Sequence, residues 1–208
     1  QGKKISKSRD WYISLRDFLN GFPADYLRYY CLAITPYSQD DVNFDWDEFH
    51  AKINNELVAN VGNFINRILS FIKTRYSGEV PFPEEYSSKD IEFINKIRDI
   101  PKAVSDKLEH NENSEALRLI MDFSAQCNQY FQLKEPWTNK PGSSTCLYLC
   151  SNAVRTLSIL LTPYLPSSTV RIWSQMGLEG SVHETSWNSS SELQVKQGHK
   201  IGNVEILF

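Results

Sequence analysis

Three groups of residues in this chain have types and spacings suited to chemistry. The first is the opening stretch "GKKISKSRDW", in which Lys3, Lys4 and Lys7 interleave with Ser6 and Ser8 and Arg9 follows. It has no apolar run to draw it into a core, and clustered ammonium and hydroxyl groups suit phosphate. The second lies in "ELVANVGNFINR", where Glu56, Asn60, Asn63 and Arg67 follow one another at steps of four, three and four, on one side of a helix. A solvated face is the simple account of any one asparagine. Yet Asn54, Asn55, Asn60, Asn63 and Asn66 crowd one segment, and asparagine is a poor helix former, so another reason is needed. Amides that both donate and accept, beside a guanidinium that can bind in two places, suit the edges of unpaired bases. The third is Trp137 in "QLKEPWTN", directly after Pro136, where no helical stripe would pull its ring inward. It serves either as an anchor between helices or as a stacking platform for a base, with Lys134 and Lys140 in reach of phosphates.

Other chemistries find little support. His50, His110, His183 and His199 have no ligand spacing with one another or with cysteine, so no metal site is expected. Cys31, Cys127, Cys146 and Cys150 form no CxxC pair and are too few for a disulfide framework, which fits buried thiols in a reducing cytoplasm. No Ser-His-Asp arrangement, glycine-rich phosphate loop or paired-carboxylate motif stands out. A net charge of -3 argues against coating DNA or RNA through a basic surface, so any nucleic-acid contact has to be local. No run of about 18 apolar residues could cross a membrane, and the first residues lack a signal peptide's apolar middle.

The elements that must position these residues are helical. Trp46, Phe49, Ile53, Leu57, Val61, Phe64, Ile68 and Ile72 recur at steps of three or four, one buried stripe of a long helix that should stop at Gly78, Pro81 and Pro83. Ser87 or Ser88 caps a second helix, Lys89 to about His110, carrying Ile91, Ile94, Ile97, Val104 and Leu108, with a kink at Pro101. Ser114 opens a third, with Leu117, Ile120, Met121, Ser124, Cys127 and Phe131 on its core face, and Pro136 closes it. A fourth, Ser144 to Tyr164, carries Leu147, Cys150, Val154, Leu157 and Leu161; a short helix with Val170 and Trp173 follows. Trp46 and Trp173 read as core, while Trp11 and Trp187 give no clear signal. From Gly177 onward the chain reads as a tail with short extended pieces packed on the helices. Upstream, "FPADYLRYYCLAI" is a compact helix with Pro23 at its first position and Tyr26, Tyr30 and Ile34 on one side. The fold class is all-α, an antiparallel helical bundle behind a short motif-bearing segment, with residues 1–36 and 37–208 as its two parts.

Lys4-Ile5-Ser6-Lys7-Ser8 resembles the KMSKS signature of class I aminoacyl-tRNA synthetases, with Ile for Met. Together with "PADYLRYY", "ELVANVGNFINR", "EPW" and the closing "GHKIGNV", it is similar to the methionyl-tRNA synthetase family of the archaeal and eukaryotic cytosolic kind, over essentially the whole chain. That resemblance implies an enzyme that joins methionine and ATP, with Mg, to methionyl-adenylate and passes the acyl group to a methionine-accepting tRNA with a CAU anticodon. It implies that Lys7, helped by Lys4, stabilises the charge on leaving pyrophosphate while Ser6 and Ser8 shape the loop. It further implies that the bundle binds the anticodon, with Trp137 stacking on a base and Asn60, Asn63, Arg67 and Glu56 in the reading region. The family's nucleotide-binding sheet and its HIGH signature are not in this sequence. Because the chain begins with Gln rather than Met, it reads as the C-terminal part of something longer, inactive alone and binding no cofactor by itself. A non-catalytic tRNA-binding module, or the same region of another class I synthetase, are the alternatives.

Overall fold

The computed structural model describes residues 12–38 and 41–208. Lys4, Ser6, Lys7, Ser8 and Trp11 therefore lie outside the described residues. The helices are α1 Leu15–Gly21, α2 Ala24–Ile34, α3 Trp46–Lys52, α4 Asn63–Arg75, α5 Ser88–Glu109, α6 Asn113–Lys134, α7 Ser143–Leu160 and α8 Pro166–Gln175. Asp45 starts α3 by accepting from the Asp47 and Glu48 amides at 2.9 and 3.0 Å. A π-helical stretch, Ile53–Gly62, joins α3 to α4 without a break, so residues 46–75 form one continuous helix. Pro23 is the cap of α2 rather than its first residue. Ser87 caps α5 in a reciprocal box with Asp90, and Pro101 stays inside that helix.

The long helix buries Phe49, Ile53, Leu57, Val61, Phe64, Ile68 and Ile72 as the spacing predicts. Trp46 departs from that stripe and is 43% exposed. It is the first residue of α3, at the rim of an aromatic cluster where Phe44 lies 4.9 Å and Phe49 5.8 Å from its ring. In α5, Ile91 is exposed and Phe93 takes the inward position. Every expected core residue of α6 is buried. Val170 is exposed on α8, whereas Trp173 is buried. Cys31 is exposed, in contrast to the three other thiols, and all four are free.

Helix α7 is buried all the way round from Thr145 to Leu160 except at Tyr148, so it is the axle of the bundle. Its polar side chains hold the tail. Arg155 donates to the Ser189 carbonyl at 2.8 Å and to Gln194 Oε1 at 2.6 Å, and Thr156 donates to the Ser190 carbonyl at 2.7 Å. Asn152 exchanges two bonds with the Val195 backbone, at 3.2 and 2.9 Å. The great majority of buried polar groups in proteins are paired in this way. The tail is built of turns, and its single antiparallel bridge among the described residues joins Glu79 to Lys200. Gly202 donates to the Gln175 carbonyl at 2.8 Å, and a Cβ there would stand 2.3 Å from the Ser174 oxygen, which is why the tail can lie against the end of α8.

Helix α2 is fastened to the same body. The buried carboxylate of Asp25 accepts from the Ser168 amide and hydroxyl at 2.6 and 2.7 Å, and so caps the N-terminus of α8 from another helix. Arg28 donates to the Pro163 carbonyl at 2.7 Å.

Candidate nucleic-acid interface

The polar face of the long helix meets α6 where the two cross. Asn60 donates through Nδ2 to the Met121 carbonyl at 3.0 Å. Asn128, from α6, donates to the Asn60 carbonyl at 3.1 Å and to its Oδ1 at 3.2 Å. Asn63 donates to Asn128 Oδ1 at 3.3 Å. One turn on, the Arg67 guanidinium lies 4.7 Å over the buried Phe131 ring and 5.9 Å from the Trp137 ring, with a bond of 3.4 Å to Gln132. Phe131 and Trp137 are 5.7 Å apart at 60°. Trp137 is 37% exposed, so its ring is supported on one side and open on the other. Glu56 is engaged elsewhere: its carboxylate accepts from Tyr29 of α2 and pairs with Lys52 at 3.3 Å.

The loop that presents Trp137 is set by backbone conformation. Glu135 ends α6 at φ 42° and Asn139 closes the 3-10 turn Pro136–Thr138 at φ 52°, both left-handed and neither of them glycine. Such conformations persist only where the surroundings enforce them. Here Pro136, the first residue of the turn, is buried, and Glu84 accepts from the Gly142 amide at 2.9 Å. Just before the turn, Lys134 pairs with buried Asp90 at 2.9 Å, and Tyr130 donates to the same carboxylate at 2.6 Å. Burial alone would raise the Asp90 carboxyl, but the bonds from Ser87, Tyr130 and Lys134 outweigh it and hold it below its ordinary value. Burial above all keeps the Tyr130 phenol well above its ordinary value, so it stays a donor. Lys134 is thus bound inward and not available to phosphate. Lys140 pairs with Glu135 at 2.8 Å on the surface, an exchangeable contact.

A cleft of about 680 Å³ opens alongside, with Asn63, Asn66 and Arg67 on one wall and Ile206, Leu207 and Phe208 on the other. Arg67 joins the two features, since it lines the cleft with Asn63 and Asn66 and its guanidinium lies beside the Trp137 ring. That set can stack on a base and bond its edge. Among the described residues no group of three or more His, Cys, Asp or Glu could hold a metal ion.

Two family models match the chain: "tRNA synthetases class I (M)" over residues 1–69 and "Anticodon-binding domain of tRNA ligase" over residues 90–206. The chain belongs to the methionyl-tRNA synthetase family and carries its anticodon-binding domain. The methionine–tRNA ligase of Methanopyrus kandleri is 39% identical over 196 residues, 92% of this chain and 29% of that protein. That of Aeropyrum pernix is 34% identical over 212 residues, 100% of this chain and 37% of that protein. The chain thus spans well under half the length of these relatives. Mycobacterium tuberculosis methionyl-tRNA synthetase in complex with methionyl-adenylate superposes with a TM-score of 0.90, over 100% of this chain and 42% of that one. At 23% identity that likeness shows the fold, a helical bundle.

Of the expected residues, Asn63 and Arg67 line the cleft, Trp137 lies beside Arg67, Asn60 is bonded to α6, and Glu56 points to α2. Sequence reasoning missed Asn128, the Phe131 ring as the floor under Arg67, Gln132, and the wall made by Ile206 to Phe208. Phe131 could have been found, since it ends the α6 core stripe six residues before Trp137. Asn128 carries no signal in sequence, because its role depends on where α6 crosses the long helix.

Proposed function

We propose that this chain reads the CAU anticodon of a methionine-accepting tRNA, as part of a cytoplasmic enzyme that joins methionine to that tRNA through methionyl-adenylate. The observation that carries the reading is the partly exposed indole of Trp137 beside the guanidinium of Arg67, a residue that also lines the neighbouring cleft. A base laid on Trp137 gains stacking on a ring already fixed by Phe131, and meets donors and acceptors already held in place. The names of the archaeal relatives and the matching family models support the amino acid. ATP, with Mg, is the second substrate, and this chain without further catalytic machinery forms no adenylate. In the full-length enzyme, Lys7 with Lys4 stabilises the leaving pyrophosphate, and Ser6 and Ser8 shape that loop.

The test is Lys7→Ala in the full-length enzyme. Methionine-dependent exchange of pyrophosphate into ATP is expected to slow, with the tRNA dissociation constant nearly unchanged. Equal loss of exchange and tRNA binding would contradict the assigned role, and exchange driven by another amino acid instead of methionine would contradict the assigned substrate.

A further inference from the structure

Uncommitted positive charge is scarce around Trp137. Lys134 is taken by the buried Asp90 carboxylate at 2.9 Å, and Lys140 by Glu135 at 2.8 Å. Lys73 turns to the tail and donates to the Gly202 carbonyl at 3.4 Å. Arg75 is different. It is exposed at the end of α4, and among the described residues no carboxylate, carbonyl or side-chain acceptor holds its guanidinium. It rests instead on Phe71, one turn back, with Cζ 6.0 Å from the ring centre.

Phe71 carries the aromatic floor of the site onward. Its partly buried ring meets Phe131 at 6.5 Å and 82°, and Phe131 lies 5.7 Å from Trp137. The three rings form a row, with the Arg67 guanidinium 4.7 Å over the middle one and Arg75 over the last. Eight residues separate the two arginines, about 12 Å along the helix axis. Because they rest on different rings, they meet different parts of a bound strand. A strand with one base on Trp137 has to carry its phosphates past this surface, and phosphate suits a guanidinium fork. The ring beneath Arg75 restricts its side chain before any ligand arrives, which lowers the ordering cost of such a contact. A cation in the last turn also suits the helix dipole, but Lys73 in the same turn already serves that end.

We propose that Arg75 is a binding residue for the RNA backbone: its guanidinium, propped on Phe71, takes one phosphate of the anticodon loop beside the base at Trp137. This rests on the anticodon reading above. The contact reads no base, so it adds affinity for any loop and preference for none. On a chain of net charge -3, it supplies locally the attraction to phosphate that the overall charge does not.

The test follows binding of anticodon stem-loops to this chain over a series of salt concentrations, with thermal unfolding of every variant as a check on the fold. Arg75→Ala is expected to weaken the CAU loop and an unrelated loop alike, by roughly three- to tenfold at low salt. The slope of log affinity against log salt should become shallower by about 0.7, the share of one phosphate on a single strand. Arg75→Lys keeps the charge and should keep the slope while losing part of the affinity, since an ammonium lacks the fork. If Arg75→Ala fails to fold, Arg75→Gln removes the charge and keeps most of the stem. A second arm replaces one loop phosphate at a time by an uncharged methylphosphonate. At one position the replacement should weaken binding by the unaltered chain and leave binding by Arg75→Ala unchanged. An unchanged salt slope, a shifted preference between loops, or a loss that no single neutral linkage reproduces would overturn the inference and leave the anticodon reading intact. Failure of the unaltered chain to bind any loop would overturn both.

Discussion

Trp137→Ala is expected to weaken binding of the CAU stem-loop by about tenfold or more while leaving thermal unfolding almost unmoved. The indole is 37% exposed on a 3-10 turn, and its partners Phe131 and Arg67 keep their own support without it. What disappears is the stacking surface, worth ~1–3 kcal/mol per base. Trp137→Phe keeps a smaller ring and should lose only part of that affinity. Titration calorimetry or fluorescence anisotropy at fixed salt reads the effect, because phosphate contacts vary with salt and stacking varies much less. An unchanged dissociation constant with the fold intact would make Trp137 an anchor between helices and nothing more.

Asp90→Ala should act through stability instead. The carboxylate is about 1% exposed and gathers Lys134, Tyr130 and Ser87. Removing it leaves a largely buried ammonium and a buried phenol without their acceptor, which costs about 3–5 kcal/mol. Since that network ties the end of α6 to the start of α5 just before the Trp137 turn, stem-loop binding should also weaken at temperatures where the variant is still folded. The pH dependence has a definite sign. The Asp90 carboxyl is held below its ordinary value, so its contribution is present in full above the ordinary carboxylate range and fades as pH falls through the depressed folded value. Urea unfolding at neutral and acid pH should therefore show the gap between wild type and Asp90→Asn narrowing in acid. A constant gap would mean that the charge of Asp90 does not matter to the fold.

How much of this was readable beforehand follows from the range of the forces involved. Apolar spacing is local, so the stripe from Phe49 to Ile72 and the core face of α6 could be read residue by residue. The π winding of Ile53–Gly62 could not, because a stripe with steps of three and four tolerates either hydrogen-bond pattern. Trp46 was misplaced for a related reason: it fits the stripe but occupies the first turn, where the helix leaves the core. The all-round burial of α7 was hidden by Asn152, Arg155 and Thr156, polar residues whose partners lie 34 to 43 residues downstream in the tail. The site divides in the same way. Trp137 announced itself by following Pro136 at a helix end, and Asn63 and Arg67 by their shared face. Lys134 looked like a phosphate contact because its true partner, Asp90, is 44 residues away. Asn128 looked like any helical asparagine until the crossing of α6 over the long helix brought the Asn60 carbonyl and side chain within its reach.

The most direct measurement of the central claim is the affinity of this chain for an anticodon stem-loop bearing CAU against one with the same stem and an unrelated anticodon, in the same buffer and salt. Stacking on Trp137 alone would serve any base, but the oriented groups of Asn63 and Arg67 should not, so the CAU loop is expected to bind more tightly by about tenfold or more. Equal affinity for the two loops would contradict the account, and would reduce the cleft beside Trp137 to a general contact with RNA.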